Sequence, residues 1–332
     1  MKGRKGTLKN KKSKKESNKT LRLMVPCRVS DERQLEAKIR VLRELVRDEY
    51  PIGLEIRTEM DDIYNPLILE KTKVNLEKLQ ESVFLSLHGP FELKRGSKRN
   101  FFSSEEGFEN LVKTIKFAEE IEADLINIHA HLFVSYDELR KMEQNNKIES
   151  FKRVSIQKVK RDLQKLRQTI SPEIKICVEN MPYCLTSDTV LDPQEIIYEL
   201  CFVDPEDFLQ IVEPENNIFT TIDVCHLAQV YDSSRLFYQI QRLGRGLGHI
   251  HLSDLGNIWQ PFIGLAKEGV IPGNGRIGER VFKEILGYLL EFSEKQDLGI
   301  VLEIDDKDFI KLEESKKSFK RVMGWLKELK RE

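Results

Sequence analysis

Residues 219–226 read Phe-Thr-Thr-Ile-Asp-Val-Cys-His. The apolar, β-branched run suits a buried strand, and it carries Asp223 to the strand's end, with His226 three residues later. The form recurs along the chain. Short apolar runs lie at 22–29, 52–57, 83–88, 124–131, 174–180, 218–223, 248–253 and 299–304. Amphipathic stretches at 31–48, 105–121, 151–169, 278–295 and 313–331 alternate with them. In 105–121, Phe108, Leu111, Val112, Ile115 and Ala118 recur at helical spacing. Asp192-Pro193 and Asp204-Pro205 each place a capping aspartate before a proline suited to the first helical position. Eight strands alternating with helices over about 300 residues predict an α/β fold, a (β/α)8 TIM barrel. A doubly wound sheet is the alternative, but no Gly-rich phosphate loop follows the first strand. Residues 21–332 show no internal repeat or linker and read as one domain.

The chain has 332 residues, of which 40% are hydrophobic, enough for a substantial core. No apolar run approaches the ~20 residues that span a bilayer, so no membrane partner is expected. The basic N-terminus lacks the apolar core of a secretory signal. Cys27, Cys177, Cys184, Cys201 and Cys225 are scattered without a C-x-x-C pair, which suits reduced thiols and a cytoplasmic location. The formal charge of −1 hides an asymmetry. Residues 1–20 hold nine Lys/Arg and one acidic residue, a local +8 that leaves about −9 on the other 312. That tail is predicted to be disordered, either a solvated leader or a loose nucleic-acid tether. A body this acidic argues against a duplex-gripping enzyme, which carries a basic face.

Seven of the eight predicted strands end in groups that could bind a cation: Glu55, His88, His129 with His131, Glu179 with Asn180, Asp223 with His226, His251 with Asp254, and Glu303. A single Asp or His at a strand end is ordinary. The repetition is informative, because strand C-termini in such a barrel converge on one face and buried carboxylates are costly unless paired or metal-bound. Three carboxylates and several imidazoles suit Mn²⁺, Mg²⁺, Co²⁺ or Zn²⁺. Cys225, between Asp223 and His226, reads as a buried inert thiol.

The ordered segments SLHGPFEL, INIHAH, CVENMP, TIDVCH, HIHLSD, PGNGRI and VLEI resemble those of the xylose isomerase-like TIM barrel superfamily, over about 22–310. That group contains sugar and sugar-phosphate isomerases and epimerases, and the endonuclease IV class of apurinic-site endonucleases. The resemblance implies a metal held by Glu179, Asp223, His251 and Glu303. Glu179 and Glu303 would also act as acid and base on a sugar, and His226 would contact it. It further implies a candidate second metal at His88 and His129, bridged by Glu179, as in the endonuclease-like members. Their third metal needs an Asp-x-His, where this chain has Lys267 and Gly269. The first strand, LMVPCRVS, also lacks their Gly-Ala-His-x-Ser signature.

The loops leave alternatives. PGNGRIG at 272–278 is a tight turn or a backbone cradle for phosphate, and Arg276 is an anion contact or a solvated arginine. Asn180 and Asp254 are further candidate substrate contacts. The basic ELKRGSKR at 92–99 is a mobile polar loop or a recognition loop for an acidic substrate. Trp259 and Phe262 would roof the pocket or pack. His249, on the same strand face as His251, is a satisfied core histidine or a partner behind the ligand, and His131 poses the same choice beside His129. The expected function is a metal-dependent sugar or sugar-phosphate isomerase/epimerase. The alternative is a phosphodiesterase or endonuclease with a dinuclear site. The sequence leaves substrate, native metal and oligomeric state open.

Overall fold

The computed structural model describes residues 20–79, 83–91, 97–185, 197–256 and 267–331. Outside them lie residues 1–19 of the basic tail, Lys94 and Arg95 of the basic loop, Asp192 and Pro193, and Trp259 and Phe262.

Among the described residues eleven strands follow in order: β1 (Leu21–Cys27), β2 (Ile52–Arg57), β3 (Phe84–His88), β4 (Leu125–His129), β5 (Phe133–Ser135), β6 (Lys175–Glu179), β7 (Cys184–Leu185), β8 (Ile197–Glu199), β9 (Ile218–Asp223), β10 (Leu247–Leu252) and β11 (Leu298–Leu302). Eight of them close a parallel barrel in the order β1-β11-β10-β9-β6-β4-β3-β2. These are the eight runs read from the sequence, with boundaries moved by up to two residues. The fold is a (β/α)8 barrel. The remaining strands, β5, β8 and β7, form a small antiparallel sheet that the sequence did not announce.

Barrel strands are covered by helices outside and by one another inside, so β4, β9, β10 and β11 are buried at every residue. Capping sets the entry to several helices. Asp31 accepts from the backbone of Arg33 and Gln34 at the start of Glu32–Leu45, and Asp204 caps Pro205–Leu209 as its Asp-Pro signal predicts. No helix among the described residues is long and apolar enough to cross a membrane.

Strand register assembles the site. His129 of β4 lies opposite Glu179 of β6, and His251 of β10 opposite Asp223 of β9. Arg57 of β2 lies opposite His88 of β3. Residues far apart in sequence therefore meet because neighbouring strands end at the same height. Inside the barrel, Gly299 makes room for a ring: a Cβ there would sit 2.7 Å from both His249 Nδ1 and Met24 Sδ.

Candidate metal centre

The centre forms around one imidazole nitrogen. Nδ1 of His251 lies 3.2 Å from Glu179 Oε1, 3.3 Å from Glu303 Oε2 and 3.9 Å from Asp223 Oδ2. Glu179 is 1% exposed, Asp223 2% and His251 0%, and His251 Nδ1 has no hydrogen-bond partner. Burial alone would push the His251 pKa down, but Glu179 and Glu55 outweigh it and lift it to about 10. Burial also raises Asp223, as do Glu268 and Glu179, against the opposing pull of His226 and His251. Three carboxylates crowded around an unpartnered nitrogen away from water make a donor set that a divalent cation fits. His251, Asp223, Glu179 and Glu303 are the residues that would hold it.

Asp223 serves the fold as well. Its Oδ1 accepts from the His226 backbone N–H at 2.8 Å, capping the helix Val224–Val230, while Oδ2 faces His251. The Asp-Val-Cys-His order thus turns the chain at the strand's end and aims the second carboxylate oxygen inward. Cys225 is fully buried against Ser253. Asn180 ties the adjacent strand ends together, accepting from the Asp223 backbone N–H at 2.6 Å and donating to its carbonyl at 3.1 Å. It is 0% exposed, so both ends of its amide serve the scaffold and none is offered to a substrate.

Glu179 has a second side. Its Oε2 lies 3.4 Å from His129 Nε2 and 3.5 Å from His88 Nε2, which are 3.2 Å from each other. Nδ1 of His88 lies 3.1 Å from the Gly89 carbonyl, which favours a proton there and a lone pair on Nε2. Burial drives His129 down to about 3 despite Glu179, keeping it neutral. Asn127, not singled out in the sequence, donates to Glu179 Oε2. It shares the inner face with His129, two residues on, and a lone amide in a fully buried strand was the available signal. His131 belongs to none of the candidate ligand groups: it has φ +48°, and its ring packs 4.9 Å from that of His129 and 5.0 Å from those of Phe91 and Phe133.

The region matching a third metal is built differently. His226 Nδ1 lies 2.8 Å from the Asn180 carbonyl and Nε2 3.5 Å from Glu268 Oε2. Burial opposes its charge, but Asp223, Glu268 and Glu179 hold the His226 pKa well above its ordinary value, so it is an imidazolium. Glu268, between Lys267 and Gly269, carries no signal of its own in the sequence and reaches His226 only in the fold. Lys267 pairs with Asp305 at 2.8 Å, and the Gly269 carbonyl accepts from the Asp305 backbone N–H. The segment is pinned to the end of β11 by these contacts.

Two expectations change. The Asp254 carboxylate accepts from the backbone N–H groups of Leu255, Gly273, Gly275 and Ile277, at 2.8–3.0 Å. It is fully buried and organises the PGNGRIG turn, so the N–H groups read as a phosphate cradle already hold an anion of the chain itself. Arg276 lines a separate cavity of about 220 Å³ with Tyr231 and Asp232, away from the ligand cluster. The cavity above the ligands is larger, about 1100 Å³, and is lined by Arg28, Lys38, Arg57, His88, Phe91, Arg99, Glu268, Glu303 and Phe309 among others. Glu303 reaches it and pairs with Arg57, whereas Glu179 lies deeper.

The family model described as xylose isomerase-like TIM barrel matches residues 53–329. The chain belongs to that family. Among solved structures, the barrel is similar to a D-tagatose 3-epimerase-like protein, at 19% identity and TM-score 0.56, covering 92% of this chain and 98% of that one. It is also similar to 3-keto-D-glucoside 4-epimerase from E. coli, at 14% identity and TM-score 0.56, covering 93% and 99%. Endonuclease IV from Thermus thermophilus is comparable, at 13% identity and TM-score 0.55, covering 93% and 99%. At these identities the likeness is one of fold. No curated protein matches the sequence.

Proposed function

We propose that this barrel is a metal-dependent isomerase or epimerase acting on a sugar or sugar phosphate. One observation carries the reading: Glu179 and Glu303 flank a single imidazole nitrogen at 3.2 and 3.3 Å, and Glu303 opens onto a cavity large enough for a sugar, with Glu179 beneath it. Moving a proton between carbons next to a carbonyl needs a general base and a general acid, roles that such a pair of carboxylates can fill. A divalent ion held by His251, Asp223, Glu179 and Glu303 would supply electrostatic stabilisation to the oxyanion that develops on the substrate.

The residues do the rest. Glu303, open to the cavity, is the carboxylate that first meets the substrate's C–H. Burial would raise the Glu179 carboxyl, but His251 beside it holds it well below its usual range, so it is an acceptor at neutral pH. It gives back only a proton taken from the substrate. The His226 imidazolium and the Arg57 guanidinium offer donors for substrate oxygens. The family contains epimerases by fold likeness, which supports the class and leaves the sugar open.

A second reading, a phosphodiesterase with two ions, is favoured by the convergence of His88 and His129 on Glu179 Oε2. The basic residues 1–20 would then aid nucleic-acid contact. The Glu268–His226 pair and the acidic body weigh against it. The free, buried Cys27, Cys177, Cys201 and Cys225 accord with a reducing, cytoplasmic setting. The test is a screen of ketoses, aldoses and their phosphates beside an abasic-site duplex, with Mn²⁺-, Co²⁺-, Mg²⁺- and Zn²⁺-loaded protein. Turnover of a sugar supports the first reading, and strand cleavage alone replaces it with the second.

A further inference from the structure

Beneath the ligands, in the closed part of the barrel, Glu55 is 0% exposed. It does not line the cavity, and its Oε1 has no partner. Its Oε2 receives three groups: His251 Nε2 at 3.0 Å, His249 Nε2 at 3.2 Å and Ser86 Oγ at 3.3 Å. A carboxylate this deep is costly unless such contacts compensate for lost water, and replacing such a buried polar cluster as a whole by apolar residues is often neutral or favourable for the fold. Its presence calls for a task that an apolar residue cannot perform.

The task follows from the two ends of the His251 ring. Nδ1 faces Glu179, Glu303 and Asp223, while Nε2 faces Glu55. A neutral imidazole carries one N–H, and the nitrogen that lacks it is the one able to bind a cation. Without a cation the surrounding carboxylates favour a proton on both nitrogens; a cation taking the place of the Nδ1 proton would leave the remaining proton at Nε2, where Glu55 accepts it, so that Nδ1 is the donor among the three carboxylates. His249 fixes Glu55 from the other side, and its ring stands where Gly299 leaves space.

We infer that Glu55 is a positioning residue for the metal ligand His251, setting its tautomer and ring orientation from inside the barrel, with His249 bracing the carboxylate. Glu55 does not line the cavity, and it acts through His251. Partners of this kind change metal affinity by about 10–100-fold when removed.

The inference rests on the metal reading above, so the experiment reads metal binding and not turnover. Co²⁺ and Zn²⁺ affinities of the full chain are measured by competition with a chromogenic chelator, for wild type, Glu55→Gln and Glu55→Leu. The Co²⁺ visible spectrum and the melting of each metal-free protein are recorded beside them. The expected result is a loss of about 10–100-fold in affinity for Glu55→Leu, with an altered Co²⁺ spectrum. Glu55→Gln should lose less, because its amide oxygen still accepts from Nε2–H. If Glu55→Leu does not fold, Glu55→Gln carries the test, and a measurable loss of affinity is expected. Wild-type affinity and spectrum in Glu55→Gln and in any folded Glu55→Leu overturn the inference alone. A wild-type chain that binds neither cation overturns the metal reading and this inference with it.

Discussion

His88 and His129 bring their Nε2 atoms to 3.2 Å from each other, and both lie within 3.5 Å of one carboxylate oxygen of Glu179. Two imidazole nitrogens and a carboxylate oxygen so placed need a shared proton or an ion between them. For an isomerase we expect one tightly held ion per chain, measured by elemental analysis after dialysis. His88→Gln with His129→Gln should leave that ion in place. Two ions, falling to one in the double variant, would favour the hydrolase reading.

Glu179→Gln and Glu303→Gln should each lower turnover by about 10²–10⁴-fold, the range for removing a general acid or base. Circular dichroism should show both barrels folded. Metal content must be measured beside activity, because each residue is also a candidate ligand. A variant that retains near-normal turnover removes the acid/base assignment for that residue.

Asp254→Ala should destabilise the fold by about 3 kcal/mol or more, since four backbone N–H groups lose their acceptor in a buried setting. Asp254→Asn should lose less, because its amide oxygen replaces part of the carboxylate. Urea unfolding at a fixed pH checks both. A melting profile unchanged by Asp254→Ala would contradict the role given to this residue.

Glu199 gives a pH dependence. It is buried at the end of β8, accepting from the Leu132 backbone at 2.8 Å and the Cys201 backbone at 3.1 Å. Burial raises its pKa from 4.5 to about 8, against the lowering effect of those hydrogen bonds. Between those values the unfolded chain has released a proton that the folded chain keeps, so stability falls as pH rises through the window and levels off above it. Thermal melts from pH 5 to 9 should show the decline, flattened in Glu199→Gln. A wild-type profile no steeper than that of Glu199→Gln would assign the dependence elsewhere.

The barrel was legible because each of its strands is a short apolar run closed by a polar residue, a pattern that does not depend on distant contacts. The convergence of Glu179, Asp223, His251 and Glu303 was legible for the same reason, since all four stand at matched strand ends. The small sheet was not, because β5, β7 and β8 have two or three residues each and carry no period. Glu268 escaped because its value lies in reaching His226 across 42 residues of chain, which spacing does not encode. Asp254 was misjudged because a buried aspartate with four backbone donors and one facing a substrate look alike until the loop is folded.

The central claim is proton transfer on a sugar by Glu179 and Glu303. Its most direct test is hydrogen–deuterium exchange at substrate carbon, followed by NMR in D₂O, with metal-loaded protein and a panel of ketoses, aldoses and their phosphates. The account predicts deuterium at a carbon beside the carbonyl of at least one substrate, lost in Glu303→Gln and after chelation. No exchange on any sugar, together with metal-dependent cleavage of a phosphodiester by the same protein, would contradict it.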